Sequence, residues 1–288
     1  MKKSSYIGRF APSPSGKLHI GSMLSAYVSF IDAKHNNGQW KLRIDDIDKQ
    51  RSKNNFAENI IGTLHDFNLV PDEIYYQNDH IGDYQKYFNA IPEEHKYFCQ
   101  CTRKKLSSLP KAPIGRIYNE ACKNEKLDTG AIRLDSKNMP LQVEDIILGQ
   151  INLPSEHVSD FIIKQKNGFS YLFCCVVDDF LQNVTHVVRG ADLIYQTLQQ
   201  NFLYAQLNLL EPQYIHHPLL TRNKKKISKS DQAEPVDSKY RIDILLFVLK
   251  ILKQPIPNSF KNYEDLLNIG IQNWNLKLIP RHKFIEID

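Results

Sequence analysis

Four stretches of the chain hold residue types that could do chemistry. In the first, APSPSGKLHIGS at 11–22, Pro12 and Pro14 fix φ and lack an N–H, which keeps the loop extended and stiff. Gly16 and Gly21 allow backbone to approach a ligand closely. The helix-periodic run that follows offers free N–H groups and a positive dipole end, a natural cradle for phosphate. His19 stands where a ring N–H could donate to a nucleotide phosphate. A proline-stiffened loop with a surface histidine would contain the same residues.

The second stretch is RNKKKISKSD at 222–231, where serines alternate with Lys229. Flexible ammonium groups and hydroxyls suit a triphosphate whose charge moves during reaction. A solvated lysine face is the plain alternative. The third is Cys99-Gln100-Cys101 with Tyr118 and Cys122. Three cysteines and a further donor at short spacing suit tetrahedral zinc, although three reduced surface thiols and a core tyrosine would have the same sequence. Separately, the alternating run Trp40-Lys41-Leu42-Arg43-Ile44 ends in Asp45-Asp46-Ile47-Asp48. A carboxylate at such a strand tip either holds a substrate ammonium or pairs with Arg43 or Arg51.

Taken together, HIGS at 19–22 and KISKS at 226–230 resemble the HIGH and KMSKS motifs of class I aminoacyl-tRNA synthetases. RFAPSPSGKLHIGS, LRIDDID at 42–48, VVDD at 176–179 and VTHVVRGADL at 184–193 are similar to the glutamyl branch of that class. Glutamyl-tRNA synthetases carry a large C-terminal anticodon-binding region, whereas this chain stops soon after KISKS. In that respect and in its tail it resembles the short glutamyl-Q tRNA(Asp) synthetases.

The resemblance implies ATP-dependent activation of L-glutamate and its transfer to queuosine in the anticodon of tRNA(Asp). A shortened enzyme charging a tRNA 3′ end and a non-catalytic nucleotide- or RNA-binding protein are the other readings. It implies His19 and Lys229 as the catalytic pair, and His19, Gly21 and Lys229 as ATP ligands, with Mg²⁺ accompanying the nucleotide. Glutamate would be held by Arg9, Phe10, Ala11, Pro12, Ser13, Asp45, Tyr171 and Arg189, two arginines suiting two carboxylates. The family has glutamate where this chain has Asp45, one methylene shorter. A structural zinc would take Cys99, Cys101, Tyr118 and Cys122.

The elements that must position these groups follow from the pattern. Residues 6–10 and 40–44 read as strands and residues 20–34, 54–69 and 83–91 as helices, the first helix closed by Asn36-Asn37-Gly38. Strand–helix alternation predicts a parallel sheet with crossover helices. Residues 95–164 break that rhythm and read as an insertion, with a strand at 131–134. Tyr171–Val177 and Val184–Val188 read as strands and Asp192–Leu210 as a long helix, with Cys174 and Cys175 in the sheet core. Residues 233–288 read as mostly helical, interrupted at Pro255 and Pro257.

The expected architecture is an α/β, Rossmann-type class I catalytic domain in two halves (1–94 and 165–232), a zinc-bearing insertion (95–164) and a small helical C-terminal domain (233–288). A length of 288 residues suits that plan. The net charge of +5 permits a phosphate-rich partner. No run approaches the ~18 apolar residues of a transmembrane helix, and Met1–Ser5 leads into a charged strand pattern rather than a signal peptide. A cytoplasmic monomer without membrane contact is expected. Five cysteines, an odd number, then read as thiols or metal ligands rather than disulfides.

Overall fold

The computed structural model describes residues 5–48, 54–223, 225–227 and 234–287; Arg51 and Lys229 lie outside them. Five short strands form a parallel sheet: β1 (Ile7–Phe10), β2 (Gln39–Ile44), β3 (Glu73–Tyr76), β4 (His186–Gly190) and β5 (Gln213–His217), in the order β5-β4-β1-β2-β3. From β1 the chain winds outward through β2 and β3, then returns to build β4 and β5 on the other side. This is the Rossmann-like doubly wound order, whose crevice opens at the carboxyl ends of the two strands where the winding reverses. Here those strands are β1 and β4.

Helix α1 (Ile20–His35) leads from β1 to β2. It is buried along most of its length, from Met23 to Ala33, because it lies between the sheet and two C-terminal helices, α6 (Arg241–Ile251) and α7 (Tyr263–Gln272). Each large apolar side chain so enclosed is worth about 1.5–3 kcal/mol. The turn after α1 depends on its last residue: a Cβ on Gly38 would lie 2.4 Å from the Tyr6 carbonyl oxygen. Helices α2 (Asn54–Asp66) and α3 (Ile81–Ala90) flank β3 along the chain, α2 ending three residues earlier than its pattern predicts.

The structure departs from several sequence expectations. Tyr171–Val177 is not a strand: Tyr171–Leu181 forms helix α4, with Ser170 at its N-cap accepting from Phe173 N–H. The run reads as a strand because it is apolar and carries two adjacent valines. Phe173 through Asp179 are buried in this helix, and a short apolar run cannot be told from a strand by periodicity alone. Cys174 and Cys175 are buried in α4 rather than in the sheet. The long helix after β4 is shorter than expected: a 3-10 turn at Ala191–Leu193 precedes α5 (Gln196–Gln206). The C-terminal segment also ends in a strand, Phe284–Glu286, parallel to Leu219–Arg222.

Between α3 and α4 a four-stranded antiparallel sheet assembles from Lys96–Cys99, Ala131–Leu134, Phe161–Gln165 and Gly168–Phe169. A hairpin at residues 142–152 leaves this region and docks on β5, where Ile146 N–H donates to the Tyr214 carbonyl at 3.0 Å. No helix among the described residues is long and apolar enough to cross a membrane.

Candidate active site

A cavity of about 270 Å³ opens at the switch between β1 and β4. Its wall includes Arg9, Phe10 and Ala11 from the end of β1, His19, Gly21, Ser22 and Ser25 from the start of α1, Tyr171 and Cys175 from α4, Arg189 from β4, and Lys226 and Ile227. Most of the predicted binding residues therefore meet in one crevice. Pro12, Ser13 and Asp45 follow or adjoin it along the chain, and the Pro12 carbonyl accepts from Asp45 N–H at 3.1 Å.

His19 is the N-cap of α1. Its Nδ1 accepts the backbone N–H of Gly21 at 3.1 Å, so in the neutral ring the proton sits on Nε2, which is a donor. Ser22 completes a capping box: its hydroxyl oxygen accepts from His19 N–H at 2.7 Å and its O–H donates to the His19 carbonyl at 2.8 Å. Gly21 is needed for close approach, since a Cβ there would lie 3.0 Å from His19 Cε1 and 3.3 Å from the Ile227 carbonyl oxygen. On the far side of the KISKS segment, Pro235 bridges to His19 and Val236 N–H donates to the Leu18 carbonyl at 3.0 Å. The described residues flanking Lys229 thus converge on His19 and Gly21.

Behind this wall lies a buried ionic cluster. Arg9 Nε is 3.1 Å from Asp179 Oδ1, and Arg43 Nη1 approaches the same oxygen at 2.6 Å. Arg43 Nε lies 2.7 Å from Asp45 Oδ1. Gln77 and Tyr84 donate to the two oxygens of Asp178. Burial raises the Asp178 carboxyl to about 6 against the opposing pull of Arg43. Burial also raises Asp45, again opposed by Arg43. The Tyr171 phenol is pushed up by burial and by the adjacent Asp45 carboxylate. Asp45 Oδ2 and Arg43 Nη2 are buried without hydrogen-bond partners among the described residues.

Arg189 differs from both other arginines. Its Nε donates to His216 Nε2 at 3.0 Å and its Nη2 to Thr197 Oγ1 at 2.8 Å. It is 9% exposed, and among the described residues no carboxylate pairs with it. Burial lowers its pKa. Against the expected strand at Val184–Val188, β4 is shifted by two residues to His186–Gly190, which places Arg189 within the sheet at the crevice.

Two contributors escape sequence reasoning. Asp179 was legible only as part of VVDD, with no indication that it anchors Arg9 and Arg43. Asp145 gave no signal at all, since it meets His216 across 71 residues of chain.

The cysteines converge separately. The thiols of Cys99, Cys101 and Cys122 lie within 4.8 Å of one another, and Cys101 Sγ is 3.6 Å from Cys122 Sγ. Tyr118 Oη is 3.5 Å from Cys99 Sγ and 3.7 Å from Cys101 Sγ. A Zn–S length of about 2.3 Å places the sulfurs of a tetrahedral site about 3.8 Å apart, so the three thiols suit zinc in type and spacing. Burial would raise the Cys99 thiol, but hydrogen bonds from Arg133 and Tyr118 outweigh it and bring the pKa down to about 7. Gly130, at φ +136°, lets the neighbouring strand close on this site, since a Cβ there would lie 2.6 Å from the Cys99 carbonyl oxygen.

The family described as tRNA synthetases class I (E and Q), catalytic domain, matches residues 7–243. The chain is 39% identical over 287 residues to the glutamyl-Q tRNA(Asp) synthetase of Vibrio vulnificus (strain CMCP6), covering 97% of this chain and 93% of that protein. It is 37% identical over 293 residues to the glutamyl-Q tRNA(Asp) synthetase of Shewanella amazonensis, covering 100% and 99%. Among solved structures, the glutamate-tRNA synthetase of Elizabethkingia anophelis shares the fold with a TM-score of 0.78 at 24% identity, covering 99% of this chain and 68% of that one.

Proposed function

The chain belongs to the glutamyl-Q tRNA(Asp) synthetases, within the class I (E and Q) catalytic-domain family, and from that membership we propose that it activates L-glutamate with ATP and transfers the glutamyl group to queuosine in tRNA(Asp). The observation that carries this reading is Arg189, a buried cation in the crevice with no carboxylate partner among the described residues. Burying an unpaired charge is costly, and a substrate carboxylate would remove that cost. Glutamate offers two. Its α-carboxylate loses its charge when it becomes the mixed anhydride, so a strong ion pair there would hold the ground state back. Its side-chain carboxylate stays charged throughout and suits Arg189.

In the first step an α-carboxylate oxygen attacks the α-phosphorus of ATP, and the bond to the leaving pyrophosphate breaks. Positioning and charge stabilisation carry such a reaction. His19 Nε2–H and the dipole of α1 supply a donor and positive potential for the phosphate oxygens, and Gly21 leaves room for their approach. Lys229 is assigned beside them, within the segment whose described flanks lie against His19 and Gly21. ATP enters as its magnesium complex. Asp45, buried between Arg43 and Tyr171, is read as the acceptor of the substrate ammonium. In the second step a hydroxyl of the queuosine cyclopentenediol attacks the activated carbonyl, AMP departs, and its phosphate takes the proton.

Cys99, Cys101, Tyr118 and Cys122 would hold a structural zinc, which with its ligand set filled cross-links this small subregion. Eight basic residues against two acidic ones between Lys96 and Lys126 give it the potential to follow an RNA backbone. The working form is read as a cytoplasmic monomer. The test is ATP–pyrophosphate exchange: the reading requires exchange that depends on glutamate and is lost in Arg189→Met. Exchange that ignores glutamate would reject it.

A further inference from the structure

Arg189 is held in place by a chain of groups that begins outside the crevice. Asp145 lies on the docked hairpin, and its side chain is fully enclosed together with that of His216. Asp145 Oδ1 accepts from the backbone N–H of Ile147 at 3.0 Å and of Leu148 at 2.7 Å. Its Oδ2 accepts from His216 N–H at 2.9 Å and meets His216 Nδ1 at 2.7 Å. Every group against this carboxyl is able to donate to it.

The consequence for His216 is a fixed tautomer. Nδ1–H donates to Asp145, so Nε2 keeps its lone pair and accepts Arg189 Nε–H at 3.0 Å. A proton on Nε2 would set two donors against each other. Burial lowers the His216 pKa to about 4, with the Arg189 charge also opposing protonation, in keeping with a neutral ring. With Nε spent on His216 and Nη2 on Thr197, Arg189 Nη1 has no hydrogen-bond partner among the described residues, in a guanidinium that lines the crevice.

Resting on the glutamate-activating reading above, we propose that Asp145 and His216 act as a positioning relay that sets the orientation of Arg189 and thereby selects a substrate bearing a side-chain carboxylate. Neither residue touches substrate; they act through Arg189. A guanidinium locked at Nε presents its remaining N–H groups in one plane, which matches a carboxylate and leaves a neutral amide poorly paired. The outer hairpin is thus tied to substrate choice.

The experiment measures pyrophosphate exchange with glutamate and with glutamine for the wild type, Asp145→Asn and His216→Phe. The relay predicts that both variants raise the KM for glutamate by roughly 10- to 100-fold, the range for losing a hydrogen bond to a charged group. The KM for ATP should stay unchanged, and so should kcat/KM for glutamine, so that glutamate-over-glutamine selectivity collapses. A merely structural role would lower both amino acids together. Retained selectivity in either variant overturns the proposal. Should the variants fail to fold, ¹⁵N NMR of the wild-type imidazoles decides: His216 must be the Nδ1–H tautomer at neutral pH, and an Nε2–H tautomer overturns it. A wild type showing no glutamate-dependent exchange would instead strike at the function reading itself.

Discussion

Arg9 Nε and Asp179 Oδ1 lie 3.1 Å apart in a buried pair, and this separates the roles of the two crevice arginines that the sequence presents as equivalents. Arg9 is neutralised from within the protein, and Arg189 is not. Breaking a buried pair by removing one partner costs about 3–5 kcal/mol. Asp179→Asn should therefore lower the urea-unfolding free energy by that order, because both Arg9 and Arg43 lose their shared acceptor. Arg189→Met, which leaves only the His216 and Thr197 hydrogen bonds unmade, should lower stability by less, about 1–3 kcal/mol, while abolishing saturation by glutamate. Equal destabilisation in the two variants would contradict this division.

How much of this was legible follows from where each signal resides. His19, Gly21, Arg189 and the cysteines were found because each belongs to a local motif, and local motifs survive in a linear string. β2 was found because its residue types alternate, and α1 because Asn36-Asn37-Gly38 closes it. α4 was misread because its short apolar run ends in two adjacent valines, which favour a strand. The links from Asp179 to Arg9 and from Asp145 to His216 are made by tertiary packing across 170 and 71 residues. No spacing in the chain encodes them.

Phosphate handling gives a second prediction. His19→Ala removes the Nε2 donor and the N-cap acceptor together, and Lys229→Ala removes the proposed mobile charge. An oxyanion-type contact is worth roughly 100- to 1,000-fold in rate, so each variant should slow pyrophosphate exchange by that order with little change in the KM for glutamate. Unchanged exchange in Lys229→Ala would remove that residue from the mechanism.

The metal reading predicts one zinc per chain by elemental analysis of protein purified without added metal. Cys101→Ser should lose most of it, and a chelator should lower the unfolding temperature of the wild type but not of the variant. A wild type free of zinc and indifferent to chelator would leave the cluster as three packed thiols.

Acid sensitivity should be traceable to His217. Burial lowers its pKa to about 4; Ser25 and the Pro218 carbonyl flank its ring nitrogens at 2.8 and 2.9 Å. A histidine kept neutral in the fold gains its proton first in the unfolded chain, near pH 6.5. Its contribution is present above that pH and is lost as the pH falls toward 4, by about 2 kcal/mol at pH 5. Comparing wild type with His217→Gln cancels the other groups: the stability gap should shift by about 2 kcal/mol in the variant's favour between pH 8 and pH 5. A gap that does not move with pH would refute it.

The central claim is where the glutamyl group ends up, and one charging measurement reads it directly. Labelled glutamate and ATP are supplied with queuosine-containing tRNA(Asp), queuosine-free tRNA(Asp) and tRNA(Glu), and the product is cut by nuclease into anticodon and 3′-terminal fragments. The account predicts label on the queuosine-containing tRNA(Asp) alone, confined to the anticodon fragment. Label on a 3′-terminal adenosine, or equal labelling of the queuosine-free tRNA, would contradict it.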